Sequence, residues 1–167
     1  MMGASGQIEF GNAADGHSWQ LSAEMYIPQP REDVFAFFAD AMRLEDLTPP
    51  WLHFHVLTPP PIAMHEGTLI DYRLRIHGLP MRWQSRISLW DPPYQFADEQ
   101  TRGPYRLWRH THQFETQGAG TLCRDIVEYR APGGWPIDRL FVRPDLRKIF
   151  GYRQRRLAEL FPASAMT

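Results

Sequence analysis

Apolar and polar residues alternate along most of this chain, and the alternation gives way only near its end. From Ser18 to Ile27 the residues Trp19, Leu21, Ala23, Met25 and Ile27 share one side, with Gln20, Ser22 and Glu24 on the other. That period of two predicts a half-buried strand. Pro28 and Pro30 end it, and Glu32 and Asp33 suit the positive end of a helix that carries Val34, Phe35, Phe37 and Phe38 to about Ala41. A second short helix is expected over Met42–Thr48, stopped by Pro49 and Pro50, then a brief strand over Leu52–Leu57 before Pro59-Pro60-Pro61. From Thr68 the alternation returns. Strands are expected over Thr68–His77, Met81–Trp90, Tyr94–Thr101, Tyr105–Thr116 and Thr121–Arg130, joined by turns rich in Gly and Pro. Connections this short pair neighbouring strands antiparallel, as a meander.

After Pro132-Gly133-Gly134 the period changes. Ile137–Val142 is expected as a short piece, and Pro144 suits a fresh helix start. Leu146, Ile149, Phe150, Leu157, Leu160 and Phe161 then form one apolar stripe down to Pro162. The order is strand, two short helices, six strands, long helix. A sheet with one apolar face and a helix with one apolar stripe must bury each against the other. The expectation is therefore an α+β fold, a curved seven-stranded antiparallel sheet around a long C-terminal helix.

Length and composition narrow this further. The 167 residues make one domain, expected over 18–162, with a loose arm over 1–17 and a tail over 163–167. An apolar share of 43% is ample for a core. Eighteen basic against nineteen acidic residues leave no surplus for nucleic acid. No run approaches the roughly 18 apolar residues of a membrane span, so integral membrane association is not expected. The first residues lack the basic start and apolar run of a signal peptide, and the single Cys123 excludes an internal disulfide. A cytoplasmic location follows.

Strand parity selects the inward residues. Trp108 and Phe114 take His110 and His112 inward with them. Phe96 carries Asp98 and Gln100, and Val127 and Tyr129 carry Cys123 and Asp125. Tyr72 and Trp83 belong to the same face. On the helix, at about 100° per residue, Arg153 falls near the centre of the stripe, where an unpaired charge is costly. Its expected partner is Asp98, Asp125 or an acidic group on a ligand.

Three readings compete for this set. In one it is a satisfied core network. In another it orients the polar end of an apolar molecule in a cavity lined by Tyr72, Trp83, Phe96, Trp108, Phe114, Tyr129 and Phe150, with Gln100, His110, His112 and Arg153 as polar contacts. In the third, His110 and His112 join a carboxylate around a metal ion. No tightly held ion is expected, because that carboxylate is placed only by parity. No cofactor is expected either, since phosphate-loop, dinucleotide and HExxH patterns are all absent. His53 and His55 read as surface or rim residues, Cys123 as a small buried hydrophobe, and Arg147, Lys148, Arg155 and Arg156 as the solvated side of the helix.

Several stretches resemble one known group. They are Leu47-Thr48-Pro49-Pro50-Trp51, Pro59-Pro60-Pro61, Gly67-Thr68-Leu69-Ile70-Asp71-Tyr72 and Trp90-Asp91-Pro92-Pro93, followed by Phe96 to Gln100, Gly103-Pro104-Tyr105 with Trp108, His110 and His112, and Gly120 through Asp125 to Tyr129. From Trp19 to Phe161 the chain resembles bacterial ligand-binding proteins of the SRPBCC superfamily, which includes START-type lipid carriers, aromatic polyketide cyclases and pollen-allergen-like proteins. The resemblance implies the helix-grip fold. It also implies binding or carriage of an apolar or aromatic small molecule between sheet and helix. The first alternative is a cyclase- or dehydratase-like enzyme using His110 or His112 as general acid/base, with Asp98 or Asp125 setting its tautomer. The second is a non-catalytic interaction domain with a filled core. The expected partner is an apolar small molecule, and a homodimer is compatible with the sequence.

Overall fold

The computed structural model describes residues 6–163. Strand β1 (Gln7–Asn12) precedes β2 (Trp19–Ile27), α1 (Arg31–Phe38), and a 3₁₀ turn (Ala41–Arg43) that runs into α2 (Leu44–Leu47). A two-residue strand β3 (His55–Val56) leads to β4 (Leu69–Ile76), β5 (Leu79–Asp91), β6 (Gln95–Arg102), β7 (Leu107–Gln117) and β8 (Gly120–Arg130). Helices α3 (Gly134–Ile137) and α4 (Arg143–Leu160) are joined by a π turn over Asp138–Val142.

The sheet has eight strands, not seven, in the order β1-β2-β8-β7-β6-β5-β4-β3, and every pairing is antiparallel. The additional strand, β1, lies where a loose arm was expected. Its only alternation signal is Ile8 and Phe10 beside Gly11 and Asn12, weak by itself. The edge of β2 supplies what the local sequence lacks. Ile8 lies opposite Ala23 and Phe10 opposite Leu21, and both pack on the core. Residues 1–5 and 164–167, the outer part of the expected arm and most of the tail, lie outside the described residues. No helix among the described residues is long and apolar enough to cross a membrane.

The β4–β5 turn is the two residues His77 and Gly78, both with positive φ (49° and 79°), the conformation of a tight hairpin that matches strand twist. On α4 the buried face is Leu146, Phe150, Arg153 and Leu157, while Leu160 stays 37% exposed. The helix does not start afresh at Pro144. Proline has no N–H to give the carbonyl of Leu140, and the π turn just before it, with Arg143 N–H bonded to Asp138 C=O, carries the backbone through without a break.

The core divides into clusters around α4. One joins α1 to the sheet through Phe35, Phe38, Phe96, Phe114 and Leu157. Another packs Leu146 and Phe150 of α4 on Leu21, Val127 and Tyr129. A third holds Ile70, Tyr72 and Ile87 under the 3₁₀ turn. Between them the interior is open.

Candidate functional site

The opening is a cavity of about 410 Å³, within the usual range of small-molecule sites. Its sheet wall is Tyr72 and Leu74 of β4, Trp83 and Ser85 of β5, Asp98 of β6, and Trp108, His110 and His112 of β7. Helix α4 contributes Leu146, Ile149, Phe150 and Arg153. The segment from Leu44 through Trp51 to Phe54 closes one side, and His77, Gly78, Asp145 and Lys148 form the rim. At the rim His77 Nε2 and Asp145 Oδ2 meet at 2.6 Å and join the β4–β5 turn to α4.

Four expected lining residues do not face this space. Phe96 and Phe114 are covered by α1: Phe35 sets its ring against both, at 5.8 and 5.5 Å, and fills that end of the concave face. Tyr129 is fully buried and donates to Asp138 Oδ1 at 2.8 Å. Gln100 folds back on the β6–β7 loop. It donates to Tyr105 C=O and accepts from Tyr105 N–H at 2.7 and 3.1 Å, so its amide is satisfied locally. The β5–β6 register also shifts twice, between Gln84 and Ser85 and between Ile87 and Leu89. A bulge between Ile87 and Leu89 leaves Ser88 out of register, and Trp90 rather than Leu89 then packs inward on Phe35 and Phe96.

Sheet register assembles the polar end. Asp98 lies opposite His110, and Asp125 opposite His112. Side chains on one face of such a ladder reach their direct and diagonal neighbours. His110 Nε2 is 2.9 Å from Asp125 Oδ1, a hydrogen bond. His112 stands between the two acids, Nδ1 at 3.0 Å from Asp125 Oδ1 and Nε2 at 3.5 Å from Asp98 Oδ2, with its ring stacked on Phe96 at 4.3 Å. The Nδ1 contact is off line for a hydrogen bond and is an ionic approach. Ser85, which no local signal marks, donates to Asp98 Oδ1 and accepts from Trp83 Nε1.

Arg153 enters from the helix side. Its Nε is 3.3 Å from Asp125 Oδ2, and its guanidinium lies 5.1 Å over the Phe38 ring. Only 7% of the residue is exposed, and Nη2 is buried without a hydrogen-bond partner. Arg153 also lines the cavity, and a guanidinium there offers charge-assisted hydrogen bonds to an acceptor.

The charges follow from these contacts. Burial opposes ionisation of Asp125, but Arg153 and the two imidazoles prevail and hold its pKa well below the carboxylate range. Asp98 is likewise lowered, with burial outweighed by His112 and His110. For His112 burial is outweighed by Asp125 and Asp98, and its pKa is raised. For His110 burial and the nearby His112 charge win over Asp125, and its pKa is lowered. The ionised Asp98 and Asp125 thus face Arg153, with His112 shifted toward its charged form and His110 toward its neutral one. Donating its Nε2 proton to Asp125 leaves Nδ1 of His110 as a lone-pair acceptor. Asp98, His110 and His112 also bring one donor atom each within 4.8 Å of one another. A cation there would displace contacts already made and sit beside Arg153. Cys123 is buried and its thiol is pushed up to about 12, chiefly by burial, so it has no nucleophilic form near neutral pH. His53 and His55 are exposed and belong to no part of this site.

Comparison with known proteins adds the following. Residues 27–158 match the family model described as polyketide cyclase / dehydrase and lipid transport. Among solved structures, protein Ms6760 from Mycobacterium smegmatis superposes with a TM-score of 0.71 at 13% identity, covering 96% of this chain and 100% of that one. TTHA0849 from Thermus thermophilus is 24% identical with a TM-score of 0.62, over 88% of this chain and 99% of its own. The ginseng major latex-like protein 151 from Panax ginseng gives 0.66 at 12% identity, over 89% and 100%. No curated protein matches the sequence.

Proposed function

The chain belongs to the polyketide cyclase / dehydrase and lipid transport family of the SRPBCC superfamily, and from that premise we propose that it binds an apolar or aromatic small molecule bearing one polar oxygen, held between sheet and α4. The observation that carries this reading is the Arg153 guanidinium on the wall of the cavity of about 410 Å³, a buried cation with one ion-pair partner, Asp125. The walls supply apolar and aromatic contact through Tyr72, Trp83, Trp108 and Phe150. Arg153 already faces the carboxylate of Asp125, so an uncharged carbonyl or hydroxyl oxygen suits it without setting a second anion beside that acid. In the bound state that oxygen accepts from the Arg153 guanidinium, and the apolar body lies along Trp108 and Phe150. Native mass spectrometry of protein purified from its own host is expected to show a co-purifying small molecule. An anilinonaphthalene dye or a fatty acid is expected to bind at micromolar concentration and to be displaced by that molecule. Loss of all apolar-probe binding would remove the basis of the proposal.

A second reading is favoured by the tautomer of His110. Its free Nδ1 is oriented by Asp125 and stands in the same cavity as a cationic donor, the arrangement of a general base with an oxygen-stabilising partner. Such a pair removes a proton next to a carbonyl while Arg153 holds the developing oxyanion, the first step of ring closure or dehydration. The two readings separate on His110→Ala: a carrier keeps its ligand unchanged, whereas an enzyme retains binding and accumulates unreacted ligand.

A further inference from the structure

At one end of the sheet Ile76 of β4 pairs with Leu79 of β5, and Leu107 of β7 pairs with Arg130 of β8. Arg106 N–H bonds Arg130 C=O at that same end, and α3 follows four residues after Arg130 in the sequence. The surface there is unusual in two respects. Leu79, Trp135, Leu140 and Phe141 are 63, 58, 68 and 53% exposed, large apolar side chains that a water-facing surface rarely gathers. At the same end of the sheet Arg102, Arg106, Arg130 and Arg139 are exposed and make no ion pair among the described residues, and Arg139 lies 5.8 Å over the Trp135 ring. The acids of the adjoining helix are already taken: Asp138 is bonded to Arg143 and Tyr129, and Asp145 to His77. A chain of net charge −1 thus carries a cationic end with an apolar tip.

We propose that this end docks on the surface of an anionic phospholipid bilayer, with Trp135, Leu140 and Phe141 entering the headgroup region and the four arginines meeting lipid phosphates. Apolar side chains at the tip with cations around them are the two attractions that hold an amphipathic segment at such an interface, and tryptophan favours that depth. A second copy of the chain fits poorly. A twofold interface would set this patch against itself, arginine facing arginine. A nucleic acid backbone would satisfy the arginines but leave Leu140 and Phe141 in water. His77 and Gly78, which line the cavity, form the β4–β5 turn at the same end, so the docked face includes part of the cavity's lining. The proposal does not depend on what the cavity holds.

The test is co-sedimentation of the intact chain with vesicles of phosphatidylcholine plus phosphatidylglycerol, against phosphatidylcholine alone. Binding is expected to the anionic vesicles only and to weaken as salt is raised. Arg102→Gln and Arg106→Gln should each lower the partition coefficient about fivefold. Leu140→Ser and Phe141→Ser should each lower it on the order of tenfold. All four positions are exposed or half exposed, so melting temperature and apolar-probe affinity should stay at the unsubstituted values, which also keeps this test separate from that of the cavity. Three outcomes would overturn the proposal: no binding to either vesicle, undiminished binding by the Leu140→Ser/Phe141→Ser variant, or failure of vesicle binding together with duplex DNA binding or dimerisation that needs the same residues.

Discussion

His112 has a carboxylate facing each ring nitrogen, and His110 next to it has only one. Their pKa shifts therefore run in opposite directions from one small cluster. A raised pKa in the folded state contributes stability that is complete below the unfolded value of about 6.5 and is lost as pH rises through the folded value. That is the case of His112. A depressed value does the reverse, and the stability due to neutral His110 is lost as pH falls below about 6.5. The two contributions overlap near pH 6.5, so stability should peak there and decline on both sides. A further loss is expected in acid as Asp98 and Asp125 take up protons through their lowered values. Imidazole titration by NMR should show one ring titrating above 6.5 and the other below, with Asp125→Asn pulling both down. Arg153→Met leaves Asp125 with less counter-charge. Chemical unfolding should register a loss of about 3 kcal/mol, the lower end for breaking a buried pair, because His110 can protonate in compensation, and its NMR titration should move up.

The strands of the meander make the site readable in the sequence. On β6, β7 and β8 a period of two, fixed by Phe96, Trp108 and Val127, puts Asp98, His110, His112 and Asp125 on one face, and helical periodicity puts Arg153 opposite them. What periodicity cannot give is tertiary. A strand pattern says which face a residue takes, not which neighbour covers it. Phe96 and Phe114 therefore read like Trp108 although α1 buries them, and Gln100 reads as a cavity group although its loop occupies it. The bulge at Ser88 reverses parity without any Gly or Pro to mark it. Strand β1 exists because β2 offers an edge, which is not a property of residues 7–12 alone. The role of α1 can be measured. Phe35→Ala should cost about 3–5 kcal/mol in unfolding experiments and open the cavity toward Phe96 and Phe114. Longer apolar probes should then bind more tightly relative to short ones.

The whole molecule is a sheet whose two outer strands have unlike protection. At one edge β3 is only two residues long and offers little to another chain. At the other, β1 covers β2 from Trp19 to Glu24, and Gln154 of α4 donates to Glu24 C=O beyond it. Deleting Met1–Asn12 would expose six consecutive positions of β2 as an unpaired edge. We expect a folded protein that has lost about 2–4 kcal/mol from Ile8 and Phe10 and that self-associates with rising concentration, as an open edge does. Equilibrium unfolding and size-exclusion chromatography over a concentration series would check both parts.

The contact between His77 and Asp145 ties the β4–β5 turn to α4 at the cavity lining, and a guest entering or leaving by that side must part it. A barrier shared by both directions sets how long a guest stays without altering how strongly it is held. His77→Asn keeps a residue that tolerates positive φ ahead of Gly78, so the hairpin itself should persist. In stopped-flow measurements with a fluorescent fatty acid, this variant should speed association and dissociation by the same factor and leave the equilibrium constant where it was. Residence time would then be a property of the β4–β5 turn, and selectivity a property of the charged cluster, two traits that selection can adjust separately.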